Sequence, residues 1–146
     1  MNIYYELTTW LKNCPDTDSY IFFNVIPVEI GVTAITTVPN TRSVQDFNDG
    51  SSEVTELFNI NLVKEYDPSG TSDINILALN AFENITTWIK EQNINNNLPI
   101  IDGITVNYIQ PSYTVPDIYL NEDTGNVRYE GRYEINYLER RIEWQH

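Results

Sequence analysis

From Glu53 to Tyr66 the sequence reads EVTELFNINLVKEY, and polarity alternates along almost its whole length. In an extended chain Val54, Phe58, Ile60, Leu62 and Tyr66 fall on one side, and Glu53, Thr55, Asn59, Asn61 and Glu65 on the other. A second alternation, VRYEGRYEINYLERR from Val127 to Arg141, sets Val127, Tyr129, Gly131, Tyr133, Ile135 and Tyr137 against Arg128, Glu130, Arg132, Glu134 and Asn136. Such runs are about twice the usual strand length. Two-faced strands of this kind call for a sheet with one packed face and one wet face.

The rest of the chain supplies elements to pack against it. Ile3, Tyr4, Leu7, Trp10 and Leu11 have helical spacing, and Cys14-Pro15 closes that helix before an Asp16-Thr17-Asp18-Ser19 loop. YIFFNV (20–25) reads as a strand interrupted by Pro27. A further strand is expected from Val28 to Val38, with Val28, Ile30, Val32, Ala34 and Val38 on the apolar face and Glu29, Gly31, Thr33 and Thr37 on the other. PNTRSVQDFNDGSS (39–52) is rich in turn formers and reads as one long loop. Paired across it, Val28–Val38 and the long strand would make a hairpin reaching beyond the domain body. Ser72 or Asp73 can cap a central helix carrying Ile74, Leu77, Ala78, Ala81, Ile85, Trp88 and Ile89, which the Asn93–Asn97 run and Pro99 end. Strands at Ile104–Ile109 and Val115–Leu120 follow, the second joined to the last stripe by an Asn121–Asn126 turn. Strands grouped apart from helices imply an α+β fold. The expected architecture is a mainly antiparallel sheet with helices packed on one face and a long protruding β-hairpin, in one domain spanning residues 1–146.

Composition then narrows function. At 146 residues the chain is one domain long and buries roughly 68–70% of its unfolded surface. No run of about 18 apolar residues predicts a membrane span. MNIYYELTTWLKNCPD lacks a basic start and carries Glu6, which argues against a secretory signal and makes the Asn84-Ile85-Thr86 sequon accidental. The net charge of −13 repels phosphate polymers. It is also uneven: four of the eight basic residues lie between Val127 and His146. There the bases alternate with acids, a pattern suited to ion pairing across strands or subunits and not to phosphate binding. A plain strand and a subunit seam both fit that stripe. Gly131 within it signals a bulge or a close backbone approach.

Candidates for chemistry are few. Cys14 alone permits neither a disulfide framework nor a multi-cysteine zinc site and reads as a small apolar residue. His146 is the only histidine and reads as a frayed end or a tag remnant, so no Ser-His-Asp or Cys-His set is expected. No phosphate-loop, dinucleotide or zinc-hydrolase motif occurs. The acidic pairs Asp16/Asp18, Asp46/Asp49 and Glu122/Asp123 read as solvated turns, and DFNDGSSE misses the calcium-loop spacing. The expectation is therefore no enzyme, no cofactor and no metal.

In the order and character of its elements the chain resembles the tail terminator and head–tail joining proteins of long-tailed bacteriophages, often labelled minor capsid proteins. The resemblance runs through NIYYELTTWL, IFFNVIPVEIGVTAI, TRSVQDF, EVTELFNINLV, LNAFENITTWI and NLPIIDGITVNYIQPSYTVPDIYLNEDTGNVRYEGRYEINY. It implies a virion protein of the neck, assembled in the host cytoplasm. It further implies a homo-oligomeric ring, typically hexameric, that caps the tail tube and joins it to the head. Its partners would be the tail tube protein and the neck or head-completion proteins, with DNA passing the lumen without specific binding. The family supplies no transferable catalytic or binding residue. From the residues themselves, the interface candidates are Arg42, Gln45, Asp46, Phe47 and Asn48 in the polar loop and Arg128, Tyr129, Arg132 and Tyr133 in the stripe; Phe47 could anchor a partner or fold back on its own domain. Two other classes compete: a non-catalytic carbohydrate- or protein-binding module using exposed aromatic rings, and a hydrolase built on two converging carboxylates. Trp10 and Trp88 at helix core positions count against the former.

Overall fold

The computed structural model describes residues 3–17 and 20–140. Asp18 of the first acidic pair, Ser19, Arg141 at the end of the stripe, and His146 lie outside them. In chain order the elements are α1 (Tyr4–Leu11), β1 (Ile21–Phe23), β2 (Thr33–Thr37), β3 (Ser43–Asp46), β4 (Ser52–Glu65), α2 (Ile74–Ile94), β5 (Ile104–Pro111), β6 (Asp117–Asn121) and β7 (Asn126–Glu139). The fold is α+β: two helices and a seven-stranded, mostly antiparallel sheet.

The two long alternating segments form its spine. β4 and β7 pair antiparallel over their full fourteen residues, from Ser52 opposite Glu139 to Glu65 opposite Asn126. Shorter strands flank them in pairs: β3 and β2 along β4, β5 and β6 along β7. β1 joins β2 in parallel at the outside.

Both predicted faces of the spine hold. Val54, Phe58, Ile60 and Leu62 lie in the core with Val127, Tyr129, Tyr133, Ile135 and Tyr137. Both helices feed this cluster, through Leu7, Trp10 and Leu11 of α1 and Ala78, Phe82, Ile85 and Ile89 of α2. They meet where Trp10 and Trp88 pack at 4.9 Å, while the Trp10 indole donates to the Asn97 carbonyl at 2.9 Å. The α2 stripe shifts from the expected set: Phe82 is buried, and Leu77 is 62% exposed.

Local chemistry sets the ends of α2. Asp67 accepts from the backbone N–H and hydroxyl of both Ser69 and Ser72, which shapes the turn ahead of the helix. Asp73 occupies the N-cap position without a side-chain cap bond. At the far end Asn96 adopts φ +54° while Asn97 N–H donates to Gln92 O and Asn96 N–H to Asn93 O. That is the paired-bond C-terminal motif, with asparagine tolerating the left-handed position glycine usually fills.

Three expectations fail around β2. First, no strand runs from Val28. Glu29 to Val32 form a turn closed by Val32 N–H to Glu29 O, with Gly31 at φ +92°, and Gly31 and Val32 together oppose Val63 as a bulge. Second, the inward face of β2 is the opposite one. Ile35 sits across from Ile60 in the core, whereas Ala34 lies opposite Asn61 on the other side. Third, 39–52 is not one loop, and although β2 does pair antiparallel with β4, over Thr33–Thr37 and Phe58–Leu62, no long protruding hairpin is seen among the described residues. Ser43–Asp46 pairs with Ser52–Thr55 in a tight hairpin closed through Phe47–Ser51, and β7 covers that same end of β4. Gly50, at φ +88°, and Asp49, whose carboxylate accepts Ser51 N–H and hydroxyl, close the turn.

Candidate interaction face

Helices cover one face of the sheet. The other carries the polar half of each alternation and is knitted side chain to side chain. Arg128 donates to Asn61 at 2.7 Å and to Glu130 at 2.9 Å, and its guanidinium lies 4.1 Å over the Tyr119 ring. Asn61, fully buried, in turn donates to Thr36 at 3.2 Å. Arg132 reaches Asn59 at 3.5 Å. Further along, Glu134 accepts from the Tyr108 hydroxyl at 2.8 Å and from Gln110 at 3.2 Å. Burial, and then the bond to Glu134, push the Tyr108 phenol up to about 12. Asn136 accepts from Asn107 and donates to Glu53 and Thr55. Among the described residues Arg128 and Arg132 are each met by an acceptor of the same chain, but the ion pair on this face, Arg128 with Glu130, runs along β7 and not across strands as the alternating charges suggested.

The predicted interface residues divide three ways. Arg128 and Arg132 stand on this polar face, the first half-buried and the second exposed. Gln45 and Asp46 are exposed on β3, Phe47 is 40% exposed and Asn48 exposed in the hairpin turn, so the Phe47 ring is not folded into the core. Arg42 pairs with Glu139 at 3.6 Å, which ties the segment before β3 to the end of β7. Tyr129 and Tyr133 belong to neither surface group. They are 4% and 0% exposed, because the tyrosine side of the stripe is the side the helices cover. The subunit-seam reading is corrected for these two rings.

Tyr129 packs against Phe82 at 6.1 Å, and Tyr133 holds polar contacts inside the core. The Tyr133 hydroxyl bonds Thr86 of α2 at 2.6 Å, and Thr86 also bonds the Tyr113 hydroxyl. Tyr137 donates to Glu56 at 2.8 Å. Burial drives the Tyr133 and Tyr137 phenols far above their ordinary value, so both stay neutral. Thr86, read from the sequence only as part of a chance sequon, is a core ligand for two tyrosines. Gly131 is the close backbone approach: a Cβ there would lie 2.7 Å from Tyr113 Cε1 and 2.8 Å from Phe82 Cζ.

Two surface depressions complete the picture. A cleft of about 700 Å³ lies at the β6–β7 end of the polar face, between Ile26–Val28 and Tyr119–Asp123. The sequence signal for it was the aliphatic run VIPVEI, which Pro27 disqualifies as an ordinary ladder strand. A smaller groove of about 300 Å³ between α1 and β1 is lined by Tyr4, Tyr5, Tyr20 and Phe23 with Thr8 and Lys12. Among the described residues, no three His, Cys, Asp or Glu side chains converge as metal ligands. No helix among them is long and apolar enough to cross a membrane. Cys14 is a buried thiol, and burial raises its pKa.

No protein-family model matches this chain, and no curated protein sequence matches it significantly.

Proposed function

We propose that this chain is a structural assembly protein, the subunit of a ring that caps a phage tail tube and joins it to the head. The observation that carries the reading is the pair of fourteen-residue strands side by side, with the helices over one face. The opposite face stays free of them and carries alternating, internally paired charge. A rigid slab of that kind suits repeated side-by-side contact, since its polar groups are satisfied before a neighbour arrives. The hairpin tip at Phe47 and the turn at Asn121–Asn126 lie at opposite ends of the spine. Head-to-tail contact between different patches is what closes a ring. A net charge of −13 would let DNA slide through the lumen without adhering.

The test is the mass of the purified protein by light scattering over a concentration series, with electron micrographs of the same sample and of the protein mixed with purified tail tubes. Annular particles of about six chains, alone or at tube ends, support the ring. A monomer that also leaves tube ends bare refutes it. The α1–β1 groove favours a second reading, a carbohydrate-binding module, because four aromatic rings and a lysine line an open surface groove. Glycan-induced quenching of tryptophan and tyrosine emission by a monomer would select that reading.

A further inference from the structure

The outer walls of the cleft at the β6–β7 end are side chains that lie outside the core cluster. Val28 is 58% exposed, Tyr119 45% and Leu120 49%, and Val25 and Ile30 extend the same aliphatic surface at 60% and 57%. The segment that carries the first wall is held by its ends. Asn24 N–H donates to Ile35 O, and Gly31 N–H to Val63 O. The aliphatic side chains between those anchors are presented to solvent on a fixed frame. The floor is Val63 beside its register partner Arg128. An exposed apolar patch rimmed by polar groups is the usual mark of an interaction site.

Charge identifies the kind of partner. Glu122 and Asp123 form part of the lining. Glu65 follows Val63 two residues on, on the same face of β4, and Glu29 is exposed beside Val28. The cation in the lining, Arg128, is already engaged by Glu130, Asn61 and the Tyr119 ring. The slot is therefore apolar within and carries negative charge at its rim that no ion pair among the described residues neutralises. A second copy would bring its own charge of −13 to that rim. We propose that this cleft docks a segment of another protein in which aliphatic side chains are interspersed with lysine or arginine. The aliphatic side chains fill the space between Val28 and Leu120, and the basic groups meet Glu122, Asp123 and Glu65. This site stands on one chain and is independent of whether rings form.

The experiment titrates isotope-labelled protein with a short synthetic peptide alternating lysine and leucine, followed by amide chemical shifts, with a glutamate–leucine peptide as control. Shift changes confined to Ile26–Gly31, Val63–Glu65 and Tyr119–Arg128 are expected. The double change Glu122→Gln and Asp123→Asn should weaken binding by roughly tenfold in total. Val28→Asp decides between docking and simple charge attraction. It adds a carboxylate while removing apolar surface, so docking predicts weaker binding and mere electrostatic adhesion predicts tighter binding. Val28 is exposed, so the fold should tolerate the change. The proposal is overturned by tighter or unchanged binding in Val28→Asp, by shifts scattered over other acidic surfaces, by equal binding of the control, or by no binding. Cleft shifts that track protein concentration without peptide would assign the site to a second copy instead and also overturn it.

Discussion

Replacing Gly131 with alanine should destabilise the protein although nothing about the backbone at that position demands glycine. Gly131 does not have positive φ, and it pairs with Ile60 in the middle of the spine. The added methyl would stand 2.7 Å from Tyr113 Cε1 and 2.8 and 3.1 Å from Phe82 Cζ and Cε2. Carbon atoms pack at about 3.5–4.0 Å, so two rings must each retreat by roughly 1 Å. Neither is free to do so. Phe82 projects from α2 and is fully buried, and Tyr113 is tethered through its hydroxyl to Thr86. Overpacking of this kind costs about 1–3 kcal/mol. Alanine returns about 0.4–1 kcal/mol by restricting the unfolded chain. The expected net loss is about 1–2 kcal/mol, or a fall of a few degrees in Tm for a domain of this size. Urea unfolding monitored by circular dichroism and tryptophan emission measures it. Adding Phe82→Leu should recover part of the loss in a double-mutant cycle, because the smaller side chain vacates the contested space. If Gly131→Ala is as stable as the parent, or the cycle shows no coupling, α2 is not seated on β7 in the way described.

Thr86→Val keeps shape but strips the bond to Tyr133, whose hydroxyl is left with Tyr113 at 3.3 Å, and should cost about 1–3 kcal/mol; a change within 0.5 kcal/mol by urea unfolding would contradict the buried network. Four bonds from Ser69 and Ser72, side-chain bonds foremost, hold the Asp67 carboxyl at about 2, below its ordinary 3.8. Because the folded value is depressed, its contribution is complete above about pH 4 and is lost as pH falls through about 2. Carboxyl chemical shifts should show that low midpoint, and Asp67→Asn should flatten the acid limb of the stability curve. Phe47→Ser should leave urea stability within about 0.5 kcal/mol, since the ring is exposed, yet lower the oligomer mass if the hairpin tip is a ring contact. Arg42→Ala should likewise cost no more than about 1 kcal/mol, because its pair with Glu139 is exposed.

The alternation in Glu53–Tyr66 and Val127–Tyr137 was enough to assign both long strands and the side each residue takes. The reason is that strand geometry converts sequence parity directly into face. The helices were legible for the same kind of reason, through apolar spacing bounded by Pro15 and by the Asn run before Pro99. Parity failed at β2, where Thr33, Ala34 and Ile35 are all fully buried and composition cannot say which face meets the core. Register against β4 settled that, and register is a long-range property. Turn chemistry was visible at Gly50 but not at Gly31, which read as part of a strand, and the strand Ser43–Asp46 hidden between turn formers was not visible either, because all four of its side chains are exposed and only pairing with β4 defines it.

The candidate surfaces follow the same division. That Arg128 and Arg132 share a face was written in their spacing; that Arg128 is consumed by Asn61, sixty-seven residues away, was not. The tyrosines looked like surface anchors because a phenol suits both water and core. Only the packing of α2 onto β7, with Thr86 placed between two hydroxyls and Gly131 left small beneath Phe82, decided that they are interior. Local patterns fix what each segment can become, because they depend on neighbouring residues along the chain. Which segments meet, and so which cleft is left open beside Val28 and Leu120, depends on distant pairing that no local period encodes.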